Sequence, residues 1–207
     1  MKQFIIILVV TFIAYNINAQ ENRTDFRNKF MLGLKVGFNY SNVYDAQGEA
    51  FNTDPKFGLV AGGFLSIPIG KYLGFQPEIL FSQKGFHATG RTLAAPFELT
   101  RTTNFIDVPL LFQLKPASCL TLLAGPQFSF LLKQRDEYTN TTQEQEFKND
   151  NIRKNILCFL GGFDINLSYV VLGARAGWDI QNNNGNGTST TPRYKNVWYQ
   201  ATIGLRF

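Results

Sequence analysis

A set of ionisable side chains recurs on alternate positions of otherwise apolar segments: Lys35, Glu78, Lys84, Asp107, Asp164, Arg175, Asp179 and Arg206. Charges of both signs facing one another could relay protons or ions, or could neutralise one another in a closed space. Ser82 and His87 raise a second chemistry, nucleophilic attack on a lipid by a serine activated by the chain's one histidine. Their opposite parity places them on opposite faces of a strand, and no motif around them supports a triad. The expectation is that the chain is not an enzyme. One His and two Cys exclude a zinc site, which needs about four close N/S ligands. Cys119 and Cys158 belong to opposite ends of successive elements, so two free thiols facing inward are expected rather than a disulfide. Asp179 to Gly187 (DIQNNNGNG) lacks the acidic spacing and distal Glu of a calcium loop. No cofactor or metal is expected.

The elements that must hold these charges have period two. Met31–Tyr40 places Leu32, Leu34, Val36, Phe38 and Tyr40 on one face and Lys35 and Asn39 on the other. The same alternation runs through 57–67, 73–84, 104–114, 119–132, 156–166, 169–180 and 196–207. A few leucines, Leu80 and Leu160 among them, sit on the polar face. The connectors alternate in length. Residues 41–56, 85–103, 133–155 and 181–195 are long and polar, whereas 68–72, 115–118 and 166–168 are tight. Long loops at one end and short turns at the other predict an all-β, eight-stranded, antiparallel, up-and-down barrel.

Period two alone does not say which face looks out. A soluble barrel packs its apolar set inside, and a membrane barrel reverses this. The polar faces here are rich in Gly, Ser, Gln and Thr and poor in charge, whereas a water-facing surface is roughly a quarter to a third charged. Aromatic residues gather near the segment ends. Phe38, Tyr40, Phe57, Phe81, Phe130, Phe159, Trp178 and Tyr199 lie toward the long loops, and Phe75, Phe112, Tyr169 and Phe207 toward the short turns. Two such girdles are expected of a transmembrane barrel. The strands are long enough to cross a membrane when tilted. An eight-stranded barrel is filled by its own side chains, which favours a structural charge network over an ion path. That network is assigned to Lys35, Glu78, Lys84, Asp107, Asp164, Arg175 and Arg206.

The chain's 207 residues favour one domain, and 44% hydrophobic against 17% charged residues excludes a disordered chain. A net charge of +5 is too mild for a nucleic-acid-binding signature. Residues 1–19 (MKQFIIILVVTFIAYNINA) have the positive start, apolar core and small final residue of a secretory signal peptide, with cleavage expected after Ala19. Residues 20–30 read as a short, loose periplasmic leader, and residues 31–207 as the barrel domain.

The stretch FGLVAGGFLSIPIGKYLGFQPEILFSQKG (Phe57–Gly85) resembles the PorT-like family of outer-membrane β-barrel proteins from Bacteroidetes. Its specific part is QPEILFSQKG, with Gln76, Pro77, Glu78 and then Ser82 to Gly85. IDVPLLFQLK (Ile106–Lys115), AGPQFSFLL (Ala124–Leu132), Arg175 and the closing GLRF are similar to later parts of that family, with Asp107 where Glu is common. The resemblance implies an outer-membrane barrel with short turns and termini in the periplasm, and Phe207 as a terminal assembly signal read by the barrel-assembly machinery. It implies contact with outer-membrane lipid and lipopolysaccharide and an envelope protein partner, with no nucleic acid. The expected role is structural or surface-interacting through the long loops. The alternatives are an accessory subunit of a secretion or gliding apparatus, a lipid-modifying enzyme of the rim, and a soluble lipocalin-like carrier.

Overall fold

The computed structural model describes residues 25–47, 52–91, 96–138, 141–145, 152–184 and 193–207. The signal-peptide reading and residues 20–24 of the leader lie outside them. The described strands are β1 (Met31–Gln47), β2 (Asn52–Pro68), β3 (Leu73–Arg91), β4 (Pro96–Ala117), β5 (Leu120–Tyr138), β6 (Thr141–Gln145), β7 (Asn155–Leu167), β8 (Val170–Asp179) and β9 (Arg193–Arg206).

Sequential neighbours pair antiparallel from β1 to β5, then β5 pairs with β7, β7 with β8 and β8 with β9. The β9–β1 ladder, in which Tyr40 faces Tyr199 and Leu34 faces Leu205, closes the ring. Closure leaves the ring of eight strands without a free edge, which hydrocarbon demands because it supplies no hydrogen-bond partners. β6 stands apart from the ring. It pairs with Gln134–Tyr138 of β5, beyond the reach of β7.

Three expected loops are corrected by the ladders. The β3–β4 pairing continues to Arg91↔Pro96, and β4–β5 to Leu99↔Tyr138. β1 and β2 likewise run through most of 41–56, and β6 forms inside 133–155. The cause is the change of solvent. Outside the membrane a strand keeps its backbone hydrogen bonds while its outward residues become polar. The hydropathy alternation then disappears although the strand goes on. The short turns are tight as expected. One of them carries Ser168 at φ 57°, in the left-handed region, and turns the Ser168 carbonyl toward the Arg206 guanidinium.

The outward wall is apolar. Leu34, Val36, Leu59, Ile79, Ile203 and Leu205 are exposed along it. Phe38, Tyr40, Phe57, Phe130, Trp178 and Tyr199 are exposed toward the long-hairpin end, with Phe112, Tyr169 and Phe207 at the short-turn end. The inward face is not purely polar. Leu80, Leu111, Leu160 and Trp198 are 0% exposed, and Phe105, Leu123, Ile156 and Cys158 pack with three of them as an internal core. The leucines that broke the alternation are thus lumen filling. Trp198 fits because its cross-strand partner is Gly177, where an added Cβ would stand 2.3 Å from the indole ring.

Gly177→Val should therefore drive the Trp198 indole from its site. The expected loss is roughly 1–3 kcal/mol of stability, the usual range for overpacking. A lower urea midpoint of the detergent-folded barrel, followed by tryptophan fluorescence, checks it.

Candidate functional site

Lys35, Glu78, Lys84, Asp107, Asp164, Arg175 and Asp179 are buried, and the barrel's stagger sorts them into layers. In the lower layer Lys35 Nζ lies 2.8 Å from Glu78 Oε1, bridging β1 to β3. Arg175 Nη1 on β8 donates to Glu78 Oε2 at 2.8 Å, and Arg175 Nη2 reaches Asp164 Oδ2 on β7 at 3.3 Å. Two cations and two carboxylates thus form a neutral quartet spanning four strands. Glu78 also accepts from Gln76 Nε2 at 2.7 Å, and Gln76 accepts from Gln113. The guanidinium has room because Gly162 faces Arg175 on β7, where a Cβ would meet Arg175 Cγ at 2.8 Å.

A second layer centres on Lys84. Its Nζ is 3.1 Å from Asp107 Oδ2 and 3.7 Å from the Trp198 ring centroid, a cation–π contact in a fully enclosed site. Asn39, Ser82 and Gln200 form a neutral set of their own, with Asn39 Nδ2 donating to Ser82 Oγ at 2.9 Å and Gln200 Nε2 to Asn39 Oδ1 at 3.1 Å. Asp179 takes hydrogen bonds from the Asn196 backbone at 3.0 Å and from the Cys158 thiol at 3.1 Å.

Arg206 departs from the expected network. It stands at the short-turn mouth, where Nε donates to Ser168 O at 2.8 Å and Nη1 to Asn166 Oδ1 at 2.9 Å. Its position at the end of β9 carries it below the quartet. A further buried pair was missed. Arg101 and Asp136 face each other directly across β4 and β5, with both hydrogen bonds at 2.7 Å, and Arg101 Nη1 also donates to Tyr194 OH at 3.2 Å. Tyr194 packs with Val43, Phe86 and Ala88, which closes the lumen on the long-hairpin side. The signal for this pair was the cross-strand register, legible only if the ladders continue through segments that read as loops.

His87 is exposed and bonded to Thr100 Oγ1 at 2.8 Å, whereas Ser82 is 0% exposed inside the lumen. The two cannot act together. Both cysteines are free, with Cys158 buried and Cys119 half-buried. The Phe207 ring is exposed, and its backbone pairs with Leu32.

The leader is a correction as well. Residues 25–29 do not hang free but turn under the short-turn mouth, where Lys115 Nζ donates to Arg27 O at 3.1 Å. Arg27 also binds Asp25 at 2.7 Å, and that hydrogen bond holds the Asp25 carboxyl down to about 2. Behind this segment lies a cavity of about 20 Å³, room for one water rather than a channel. The arrangement can brace the strands and neutralise the charges they carry inward.

Removing Glu78 leaves Lys35 without a carboxylate and Arg175 with Asp164 alone. Glu78→Ala should cost about 3–5 kcal/mol, the penalty for breaking a buried ion pair. Arg206→Ala, at a half-buried side chain of the short-turn mouth with no ion-pair partner among the described residues, should cost within about 1 kcal/mol. Urea unfolding of the two variants in the same detergent checks the contrast.

Comparison with known proteins agrees with this geometry. The family model described as outer membrane protein beta-barrel domain matches residues 18–204. Among solved structures the chain is similar to Ail, the attachment invasion locus protein of Yersinia pestis, with a TM-score of 0.52, 13% identity, and coverage of 86% of this chain and 98% of that one. Ail in complex with the heparin analogue sucrose octasulfate matches with a TM-score of 0.50, 12% identity, and coverage of 86% and 99%. Neisserial surface protein A gives a TM-score of 0.42, 11% identity, and coverage of 86% and 97%. A comparison with curated protein sequences finds no match. At these identities the structural likeness concerns the fold, and the family match carries the placement. The chain is a β-barrel protein of the outer membrane and belongs to the outer membrane protein beta-barrel domain family.

Proposed function

We propose that this protein is a non-enzymatic barrel with a sealed lumen, whose raised hairpins form an interaction surface outside the cell. The observation that carries the reading is the filled interior. The Lys35–Glu78–Arg175–Asp164 quartet crosses the barrel, and the Lys84–Trp198 layer and the Arg101–Asp136–Tyr194 layer fill further levels. An interior so filled leaves the hairpins as the part free to meet partners. The wall is uneven. β4 has 22 residues and β5 has 19, against 13 in β7 and 10 in β8. The taller side gives the exterior a ridge made by β3, β4, β5 and β6. Outer-membrane lipid and lipopolysaccharide surround the wall in this reading. Export follows signal-peptide cleavage near Ala19, and Phe207 presents its ring to the assembly machinery.

The QPEILFSQKG stretch supports a second reading, membership of the PorT-like subgroup and attachment to a secretion or gliding apparatus through an envelope protein partner. Copurification with a large envelope complex supports that reading, and a free monomer from every gentle extraction opposes it.

The sealed lumen is tested by inserting the purified protein into a planar lipid bilayer. No discrete conductance steps are expected. Regular single-channel steps would contradict the proposal.

A further inference from the structure

The short-turn mouth is closed by a piece of chain that is not part of the ring. Residues 25–29 make no ladder with any strand, and their one internal backbone hydrogen bond joins Lys29 N to Phe26 O at 3.1 Å. Side chains instead tie them to four separate places on the rim. The Phe26 ring lies 5.8 Å from that of Tyr169 in the β7–β8 turn. The Arg206 guanidinium of β9 lies 5.0 Å from the Phe26 ring centroid. The Arg27 guanidinium stands 5.6 Å from the Tyr72 ring centroid in the β2–β3 turn. Lys115 of β4 holds the Arg27 carbonyl. The chain then continues through exposed Asn28, Lys29 and Phe30 into β1.

What this segment covers is unusual. Lys115 is 4% exposed, and it lines the same cavity as Arg206, Gln113, Thr121 and Asn166. Every cation of the upper layers has a carboxylate, but among the described residues neither Lys115 nor Arg206 has one within ion-pair distance. The buried lysine is satisfied by a backbone carbonyl that the leader itself supplies. A buried ammonium without a partner is costly, so the carbonyl and the cation hold each other.

We propose that residues 25–29 are a periplasmic latch, a strap that shuts the barrel mouth by side-chain contacts alone and whose release exposes a cationic vestibule built on Lys115 and Arg206. Contacts of this kind open locally without unfolding the ring, because no ladder hydrogen bond has to break. The vestibule then opens to the periplasm, lined by Gln113, Thr121 and Asn166 as neutral hydrogen-bonding groups and by the Asp164 carboxylate that is paired with Arg175.

The test is amine labelling of the full chain folded in detergent, using sulfosuccinimidyl acetate and mapping by mass spectrometry. In the unaltered protein Lys115 should label slowly, at a rate near that of enclosed Lys84, whereas exposed Lys29 labels fast. In the Phe26→Ala, Arg27→Ala double variant Lys115 labelling should rise several-fold while Lys84 stays protected and heat-modifiable gel mobility is retained. If the double variant loses that mobility shift, the milder Phe26→Leu, Arg27→Gln variant carries the same reading. Labelling of Lys115 that is already as fast as that of Lys29 in the unaltered protein would overturn the latch. So would labelling that stays unchanged when its contacts are removed from a folded barrel.

Discussion

Charges inside this barrel must find their partners within it. Hydrocarbon surrounds the wall, and the charged side chains of the lumen are buried among one another and their neighbours. Each enclosed carboxylate or cation must therefore meet an opposite charge or a hydrogen-bonding partner or lose several kcal/mol. That constraint sets the interior. Glu78 takes two cations from two different strands, Arg175 divides itself between two carboxylates, and Lys84 adds the face of Trp198 to its contact with Asp107. Such pairs add little net stability compared with an apolar core, but they fix which strand faces which, because a slip of one residue would strand every charge.

The same constraint explains how the two ends are closed. Toward the hairpins, the Arg101–Asp136 pair lies beside an apolar cluster of Val43, Phe86, Ala88 and Tyr194. Toward the short turns, closure falls to the leader, which brings a carbonyl to a lysine and an aromatic ring to an arginine. One end is therefore sealed by the ring's own strands and the other by a segment attached from outside. The outward wall follows from the opposite condition. Lipid accepts apolar side chains freely and offers nothing to a backbone edge, so the ring closes and its exterior is leucine, valine, isoleucine and aromatic residues.

Much of this was legible in the sequence because a strand's period is two. Parity places Lys35, Glu78, Lys84, Asp107, Asp164 and Arg175 on one face and Phe38, Phe112 and Tyr199 on the other, and the sparse charge of the first with the aromatic girdles of the second says which one is inward. Parity does not say how far strands are staggered, so it could not pair Lys35 with Glu78 or show that Arg206 drops to the mouth. It also fails where the solvent changes. Residues 96–103 and 133–138 read as loop because water lies on their outer side, yet they carry the Arg101–Asp136 pair. Leu80 and Leu160 looked like errors of alternation and turned out, with Trp198, to be the lumen's apolar filling. The leader read as loose because its contacts are made to the ends of distant turns, which no local pattern records.

The two tryptophans give the most direct test of the inside-out arrangement, since Trp178 is exposed on the wall while Trp198 is 0% exposed within the lumen. Each can be read alone in a Trp198→Phe or Trp178→Phe variant reconstituted in bilayers whose acyl chains are brominated near the headgroup end. Bromine should quench Trp178 strongly and leave Trp198 bright. Quenching of Trp198, with Trp178 untouched, would mean that the polar face meets the lipid and that the ion pairs are not the barrel's interior.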